Sequence, residues 1–209
     1  MKRGIFISFE GPDGSGKTTQ IQLLADYCKE KGLKTIATRE PGGTPISEKI
    51  REIILDNRNK EMAPAAEALL YAASRAQLVD QVIKPALEEG TIVLSDRFMD
   101  SSIAYQGYGR GLGDGVRTIN EFAIQSLQPD LTFFMNVDPA IGKKRVLAEG
   151  APDRMESEAM TFHRAVYNGY VELSKIYKDR YVVIDGTKSI EEIAAIIRGC
   201  VEKYVAERA

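Results

Sequence analysis

The feature that most constrains this chain is a glycine-rich stretch near its start that fits the pattern G-x-x-x-x-G-K-[ST]. It follows an apolar run that ends at Phe9 and precedes an amphipathic segment that begins near Thr18. In a loop between a strand and a helix, glycines let backbone N–H groups turn toward an anion, and the helix N-terminus favours negative charge. The motif consists of Gly11, Pro12, Asp13, Gly14, Ser15, Gly16, Lys17 and Thr18. We therefore expect a nucleoside triphosphate to bind here.

Three side chains are expected to act on the bound phosphates. In loops of this kind the lysine, here Lys17, reaches the β- and γ-phosphates, and the hydroxyl of Thr18 ligates Mg²⁺. A carboxylate at the end of a neighbouring strand assists the metal through water, and Asp96, which follows an apolar run, is the candidate. The alternative for Asp96 is a strand-end ion pair with its neighbour Arg97.

Composition narrows the class of protein. With 209 residues, of which 44% are hydrophobic, the chain can bury one sizeable core, and we expect one domain over residues 1–209. The formal net charge of −2 gives no electrostatic case for nonspecific nucleic-acid binding. Cys28 and Cys200 lie far apart and indicate neither a disulfide framework nor a metal cluster. No apolar run approaches the roughly 20 residues that span a membrane, so we expect a cytoplasmic protein.

Five short apolar segments alternate with helical patterns, which is typical of a parallel sheet with crossover helices. The predicted strands are Gly4–Phe9, Lys34–Thr38, Thr91–Leu94, Leu131–Val137 and Tyr181–Ile184. The predicted helices are Thr18–Gly32, Ile46–Leu55, Ala65–Val82, Val116–Leu127, Pro139–Ala148, Ala159–Tyr177 and Ile190–Val205. Pro85 is expected to end or kink the third helix. The predicted fold class is α/β, a three-layer sandwich with a five-stranded parallel sheet flanked by helices.

Polar side chains follow the predicted strands, at the edge where open α/β sheets bind ligands. Arg39 ends the second strand, Arg51 lies on the next helix, and Arg97 follows the third strand. Three guanidinium groups at this edge could hold a second phosphate opposite the glycine-rich loop. Tyr71 and Arg75 lie at i and i+4 on one helix and are suited to grip a nucleobase, although the pattern alone favours a structural role.

Four blocks of sequence, in this order, resemble the thymidylate kinase family in its bacterial and archaeal form. The blocks are Phe9–Lys17, Thr38–Thr44, Asp96–Gly107 and Asp153–Glu156, and the likeness covers essentially the whole chain. The first block alone indicates only the P-loop superfamily, whereas the second and third are specific to this family. The resemblance implies a homodimer that transfers the γ-phosphoryl group of ATP to dTMP with Mg²⁺, giving dTDP and ADP for dTTP synthesis.

The resemblance also implies an acceptor site for the base, the sugar and the phosphate of dTMP. Tyr71 is expected to stack on thymine, and Arg75 to hydrogen-bond a carbonyl of the base. The other expected contacts are Ser102 and Gln106 with the base, Asp13 and Tyr105 with the deoxyribose, and Arg39, Arg51 and Arg97 with the phosphate.

Gly14 determines the expected subtype. Some members of the family carry an arginine at this position, and others supply the charge from a mobile lid. The resemblance therefore implies a lid over approximately residues 145–156, from which Arg154 reaches the transferred phosphoryl group. The alternative for Arg154 is an exposed ion pair with Asp153 or Glu156.

The sequence leaves other function classes open. A deoxynucleoside kinase has no need of three arginines around an acceptor phosphate, and a guanylate or cytidylate kinase recognises a different base edge. A nonenzymatic ATP-dependent switch would ignore nucleoside monophosphates. The catalytic residues expected of the kinase are Lys17, Asp96, Arg97 and Arg154. Arg145 either belongs to a solvated helix face or stacks over the adenine of ATP.

Overall fold

Five parallel strands form one sheet in the order β2-β3-β1-β4-β5. They are β1 (Phe6–Glu10), β2 (Thr35–Arg39), β3 (Ile92–Asp96), β4 (Leu131–Asn136) and β5 (Tyr181–Asp185). All five predicted strands are confirmed, and four of them end one or two residues later than predicted. This computed structural model describes residues 3–208, without the side chain of Glu149; residues 1, 2 and 209 of the predicted domain lie outside the described residues.

Helices connect the strands and cover both faces of the sheet. They are α1 (Lys17–Glu30), α2 (Pro45–Leu55), α3 (Pro64–Leu78), α4 (Lys84–Glu88), α5 (Met99–Ser102), α6 (Gly115–Ile124), α7 (Pro139–Glu149), α8 (Met160–Ile176) and α9 (Ile190–Arg208). The start of α2 is capped by Thr44, whose hydroxyl accepts from the backbone N–H of Ser47 at 3.1 Å. No helix within residues 3–208 is long and apolar enough to cross a membrane.

Alternating side chains along the strands build an apolar layer on each face of the sheet. Phe6 of β1 packs with Val93 and Phe134 on the face that α3 and α8 cover. Ile7, the next residue, points to the opposite face, where α1 and α9 supply Leu24 and other apolar side chains. A strand that buries both of its faces in this way produces the three layers that the sequence predicts.

Pro85 does not end the helical run in which it lies, although the predicted helix was expected to stop or kink before it. The chain leaves α3 through a π-helical turn, Val79–Ile83, and continues directly into α4. Proline lacks an N–H group, and in a regular helix its ring crowds the carbonyl four residues earlier. The wider π turn places Pro85 in the first turn of α4, where its missing donor costs little.

A further helical run after β3 was not predicted from the sequence. α5 continues into a π-helical segment, Ile103–Gly109, that packs along α8. The run contains serines and glycines, which are weak helix formers, so tertiary packing rather than intrinsic propensity stabilises it. A Cβ added at Gly109 would lie 2.6 Å from the ring of Phe162, so the close contact with α8 requires glycine here.

The carboxyl ends of the strands meet at one edge, and the strand order reverses beside β1. β1 pairs with β3 on one side and with β4 on the other. In open α/β sheets the crevice at such a reversal is where ligands bind. The glycine-rich loop follows β1 into this crevice, and Arg97 enters it from the end of β3.

Candidate active site

The glycine-rich loop joins β1 to α1 and encloses the ammonium group of Lys17. Gly16 has a φ of 90°, a left-handed conformation that glycine adopts without steric cost. Lys17 Nζ donates to the carbonyl oxygens of Gly11 at 3.2 Å and Pro12 at 3.0 Å. Burial lowers the pKa of Lys17 to about 8, and the charge of Arg97 acts in the same direction. The predicted phosphate loop therefore places a buried lysine at its centre.

Thr18 and Asp96 form the pair that was predicted to hold Mg²⁺. Parallel pairing sets Phe9 of β1 beside Asp96 of β3, which brings the Asp96 carboxylate to the start of α1. Thr18 Oγ1 donates to Asp96 Oδ2 at 2.8 Å. A hydroxyl and a carboxylate are oxygen donors that suit Mg²⁺, whose other ligands in such sites are waters and substrate phosphates. The residues present fit the ion.

A groove of about 570 Å³ extends from the loop along α7 toward the turn after β5. Arg145 of α7 lines it and donates from Nη1 to the carbonyl oxygen of Gly14 at 3.1 Å. A Cβ added at Gly14 would lie 2.3 Å from the carbonyl oxygen of Gly142 on α7. Position 14 thus has no room for a side chain, and Arg145 and Lys188 add positive charge to that of Lys17 along the groove.

A second pocket begins at Asp13, on the same loop. It brings together eight of the nine residues predicted for the acceptor site, which are Asp13, Arg51, Tyr71, Arg75, Arg97, Ser102, Tyr105 and Gln106. The loop, α2, α3 and the helical run after β3 each contribute to its wall. Because the groove begins at Gly14 and this pocket at Asp13, groups bound in the two would meet at the glycine-rich loop.

Arg97 is the central positive charge of this pocket. Its φ of 71° is a left-handed conformation that costs an ordinary residue about 1 kcal/mol, so the surrounding contacts must stabilise it. Its guanidinium pairs with Asp13 and donates to the hydroxyls of Tyr105 at 3.1 Å and Tyr170 at 3.0 Å. Tyr105 in turn donates to Asp13 Oδ2 at 2.7 Å. Although burial opposes it, the charge of Arg97 holds the pKa of Asp13 below its ordinary value.

Comparison with known proteins decides the family. The thymidylate kinase family model matches residues 9–197. A thymidylate kinase of Lactobacillus helveticus (strain DPC 4571) is 51% identical over 210 residues, which cover 98% of this chain and 99% of the relative. This chain belongs to the thymidylate kinase family.

Two further thymidylate kinases support the family and the fold. The protein of Finegoldia magna (strain ATCC 29328 / DSM 20472 / WAL 2508) is 54% identical over 190 residues, covering 90% of this chain and 93% of that protein. The crystal structure of a thymidylate kinase from Ehrlichia chaffeensis matches with a TM-score of 0.78 and 33% identity, covering 95% of this chain and 99% of that chain. The resemblance, the enzyme class and the α/β fold predicted from the sequence are confirmed.

Arg75 of the thymidylate kinase site is buried and completely paired. Nε and Nη2 both lie 2.6 Å from Glu40 Oε2. Nη1 donates to Ser102 Oγ at 2.9 Å and to the side-chain oxygen of Asn120, and Nη2 donates to the carbonyl oxygen of Phe98 at 3.0 Å. Since a guanidinium has five N–H groups, each already has a protein acceptor. A hydrogen bond from Arg75 to a base would require one of them to be shared, and that contact stays a prediction.

Three uncharged side chains complete the wall near Arg75. Tyr71 is half-buried, and its burial raises the pKa of the phenol, which therefore keeps its proton. Ser102 Oγ accepts from Arg75, so its own proton is available to a ligand. Gln106 Nε2 donates to Glu67 Oε1 at 3.0 Å, whereas Gln106 Oε1 has no hydrogen-bond partner among the described residues. The wall thus presents an aromatic ring, one donor and one acceptor.

The two remaining arginines predicted for the acceptor phosphate differ in position. Arg51 lines the pocket and donates from Nη1 to the carbonyl oxygen of Pro41 at 2.9 Å. Arg39 is not among the described residues that line the pocket; it pairs with Glu48 at 2.9 Å, and 52% of its side chain is exposed. Of the three arginines expected at the acceptor phosphate, Arg51 and Arg97 therefore line the pocket here, and the role of Arg39 stays a prediction.

Arg154, the arginine predicted to act from the lid, is buried in this structure. Only 7% of it is exposed, its Nε donates to the carbonyl oxygen of Ile54 at 2.7 Å, and its Nη1 pairs with Glu67 at 2.7 Å. The alternative, an exposed pair with Asp153 or Glu156, is wrong, because Arg154 is buried and its ion-pair partner is Glu67. Packing against α2 and α3 buries Arg154. A catalytic role for it, and the mobility of the lid over residues 145–156, stay predictions.

Sequence reasoning missed three buried residues that support the site. Glu10 accepts hydrogen bonds from Ser101 Oγ at 2.6 Å and from the hydroxyl of Tyr170 at 3.1 Å, and burial raises its pKa to about 8. Glu67 supports Gln106, as described above. Glu67 lies four residues before Tyr71 on α3, so helical spacing could have assigned it to the same face. Tyr170 carries no comparable signal in the sequence.

Proposed function

We propose that this chain transfers the γ-phosphoryl group of ATP to dTMP, with Mg²⁺, to give dTDP and ADP for dTTP synthesis. The main support for the proposal is that the groove and the second pocket adjoin at the glycine-rich loop. Lys17 lies on the groove side of the loop, and the Asp13–Arg97 pair lies on the pocket side. A hydrolase or a nucleotide switch has no use for the second site. A kinase with a phosphorylated acceptor needs both.

The residues of the loop side act by placing charge. Lys17 lies where it would compensate the charge that develops between the β- and γ-phosphates. Thr18 and Asp96 would hold Mg²⁺, which would supply positive charge to offset that of the phosphates. No general base is required, because the acceptor oxygen of a monophosphate is already anionic; catalysis is then positioning and electrostatic stabilisation.

The residues of the acceptor side select and orient the monophosphate. Arg97 and Arg51 supply the guanidinium groups for its phosphate. The Asp13–Tyr105 hydrogen bond would lie by the sugar, and the ring of Tyr71 is available to stack on the base. These assignments follow the family pattern, and the grouping of the residues around one pocket supports them.

The decisive experiment is a coupled assay of ADP formation with Mg-ATP and, in separate reactions, dTMP, dUMP, dGMP, dCMP or buffer alone. We expect dTMP to be the best acceptor and the reaction in buffer to be negligible. Lys17→Ala is the control for catalysis at this site, and we expect it to retain less than about a tenth of the turnover, given the usual size of such electrostatic effects. A preference for dGMP or dCMP would assign another monophosphate kinase, and equal rates with and without acceptor would assign an ATPase.

We also propose that the chain forms a homodimer through the outer face of α2, α3 and α6. These neighbouring helices expose large apolar side chains, including Ile53, Leu69 and Phe122, and Phe122 is 87% exposed. Sedimentation analysis is expected to give a dimer for the unchanged chain and a monomer for Phe122→Asp. The matched control is Ile196→Asp on α9, which should leave the dimer intact. A monomeric unchanged chain would contradict the proposal.

A cytoplasmic location and one catalytic domain over residues 1–209 belong to the same proposal. Cys28 and Cys200 are free thiols, which supports a reducing compartment.

A further inference from the structure

Glu67 of α3 is a buried carboxylate that receives two arginines and an amide. Arg110 donates from Nε to Oε1 at 3.1 Å and from Nη2 to Oε2 at 3.0 Å. Arg154 Nη1 lies 2.7 Å from Oε2, and Gln106 Nε2 donates to Oε1 at 3.0 Å. Burial opposes ionisation, but the hydrogen bonds and charges of these partners hold the pKa of Glu67 below its ordinary value. Glu67 is therefore an ionised acceptor.

The ionised carboxylate fixes the orientation of the Gln106 amide. A carboxylate without a proton only accepts hydrogen bonds, so Gln106 must turn its NH₂ group toward Glu67. Its Oε1 is then left as a buried acceptor with no partner within residues 3–208, on a residue that lines the acceptor pocket. A buried acceptor of this kind is satisfied by a ligand N–H group. The ring N–H of thymine or uracil meets that need, whereas cytosine has a lone pair at the same ring position.

The same carboxylate holds one wall of the pocket in place. The 152–158 segment contributes Asp153, Met155 and Glu156 to the pocket lining. It is attached to Glu67 directly through Arg154, and indirectly through Arg110, which also pairs with Glu158 at 2.6 Å. Glu67 therefore contacts both Gln106, which would recognise the base, and the 152–158 segment, which forms this wall of the pocket.

We propose that Glu67 is a positioning residue that sets base selection and holds the 152–158 segment closed over the acceptor pocket. The proposal rests on the proposed function, since it concerns how the same pocket chooses its monophosphate. It predicts that neutralising Glu67 changes two independent properties together. The first is discrimination between bases with and without a ring N–H group, and the second is exposure of the 152–158 segment.

The first test compares Glu67→Gln with the unchanged chain in kcat/KM for dTMP and dCMP at saturating Mg-ATP. The variant keeps the volume of Glu67, but its amide lets Gln106 turn and present an N–H group to the pocket. We expect the ratio of kcat/KM for dTMP to kcat/KM for dCMP to fall by about tenfold or more, because a buried polar group would be mispaired with thymine. The change should come from a raised KM for dTMP. The KM for ATP should not change. Glu172→Gln, which removes a carboxylate from an exposed ion pair on α8, is the matched control.

The second test needs no substrate. Amide hydrogen exchange of the 152–158 segment is expected to accelerate in Glu67→Gln and to stay unchanged in Glu172→Gln. Arg154→Gln separates the two properties and remains informative if Glu67→Gln does not fold. It should accelerate exchange of the segment while preserving the dTMP-to-dCMP ratio, because Gln106 still faces Glu67.

The outcomes separate this proposal from the proposed function. If the unchanged chain does not phosphorylate dTMP, the proposed function fails, and hydrogen exchange still decides whether Glu67 holds the segment. If dTMP is a substrate but Glu67→Gln leaves either the dTMP-to-dCMP ratio or the exchange rate unchanged, the positioning role is overturned. A lower melting temperature with both properties unchanged would also overturn it, since Glu67 would then be a structural carboxylate only.

Discussion

Raising the pH from about 7 to about 9 is expected to weaken ATP binding, because Lys17 loses its proton in the ligand-free chain over this range. The ammonium group is buried inside the glycine-rich loop, and within residues 3–208 its hydrogen bonds reach only backbone carbonyls and the hydroxyl of Ser15. Burial and the nearby charge of Arg97 lower the pKa from 10.5 to about 8. A bound triphosphate supplies the negative charge that favours the protonated form.

The magnitude follows from this pKa. With a value near 8, roughly nine in ten Lys17 side chains carry a proton at about pH 7, and roughly one in ten at about pH 9. If only the protonated form binds triphosphate tightly, the dissociation constant for ATP rises about tenfold, which corresponds to roughly 1.4 kcal/mol. Binding at the higher pH should also take up nearly one proton per ATP.

Isothermal titration of Mg-ATP at both pH values, each in two buffers with different heats of ionisation, measures affinity and proton uptake together. Lys17→Ala should bind ATP weakly with no proton uptake at the higher pH. Lys29→Ala, which removes an exposed lysine from the last turn of the same helix, is the matched control and should behave like the unchanged chain. Equal affinity at the two pH values, or proton uptake that persists in Lys17→Ala, would refute the reasoning.

The remaining predictions concern the acceptor side and the fold. Arg97→Ala should raise the dissociation constant for dTMP at least about tenfold while changing that for ATP little, which separate calorimetric titrations of each nucleotide can check. Gly109→Ala should destabilise the fold by about 1–3 kcal/mol in denaturant unfolding, because its Cβ would lie 2.6 Å from Phe162, whereas Gly115→Ala, with no atom within 4 Å, should cost nothing. Because burial raises the pKa of Glu10 from 4.5 to about 8, the folded chain keeps a proton that the unfolded chain releases. The free energy of unfolding should therefore fall as pH rises through that window, and this fall should be smaller in Glu10→Gln.

The sequence predicted the elements that depend on residues close together in the chain. The glycine-rich loop is defined by neighbours in sequence, and the strands by short apolar runs that bury both faces. The pairing of Thr18 with Asp96 also followed, because carboxyl ends of adjacent parallel strands meet at one edge. The helical run after β3 could not be predicted from the sequence, because its serines and glycines are weak helix formers and contact with α8 stabilises the run.

The positions of charged side chains were harder to predict, because their partners lie far away along the chain. The neighbours of Arg154 in sequence suggested a local ion pair, but its actual partner, Glu67, comes from α3. Arg39 was assigned by its place at a strand end; here it pairs with Glu48 of the following helix, and its contact with the acceptor phosphate stays a prediction. Sequence spacing identifies which residues reach one edge of the sheet, whereas tertiary packing decides which charges meet there.

The contact between Gly14 and α7 limits how this chain can evolve. A Cβ at Gly14 would lie 2.3 Å from the carbonyl oxygen of Gly142, and a Cβ at Gly142 would lie 2.2 Å from the carbonyl oxygen of Asp13. Neither glycine can be replaced while the other backbone keeps its place. An arginine at position 14 would fit only if α7 shifted, and Arg145 with it. A side chain at position 14 and the present position of α7 therefore exclude each other.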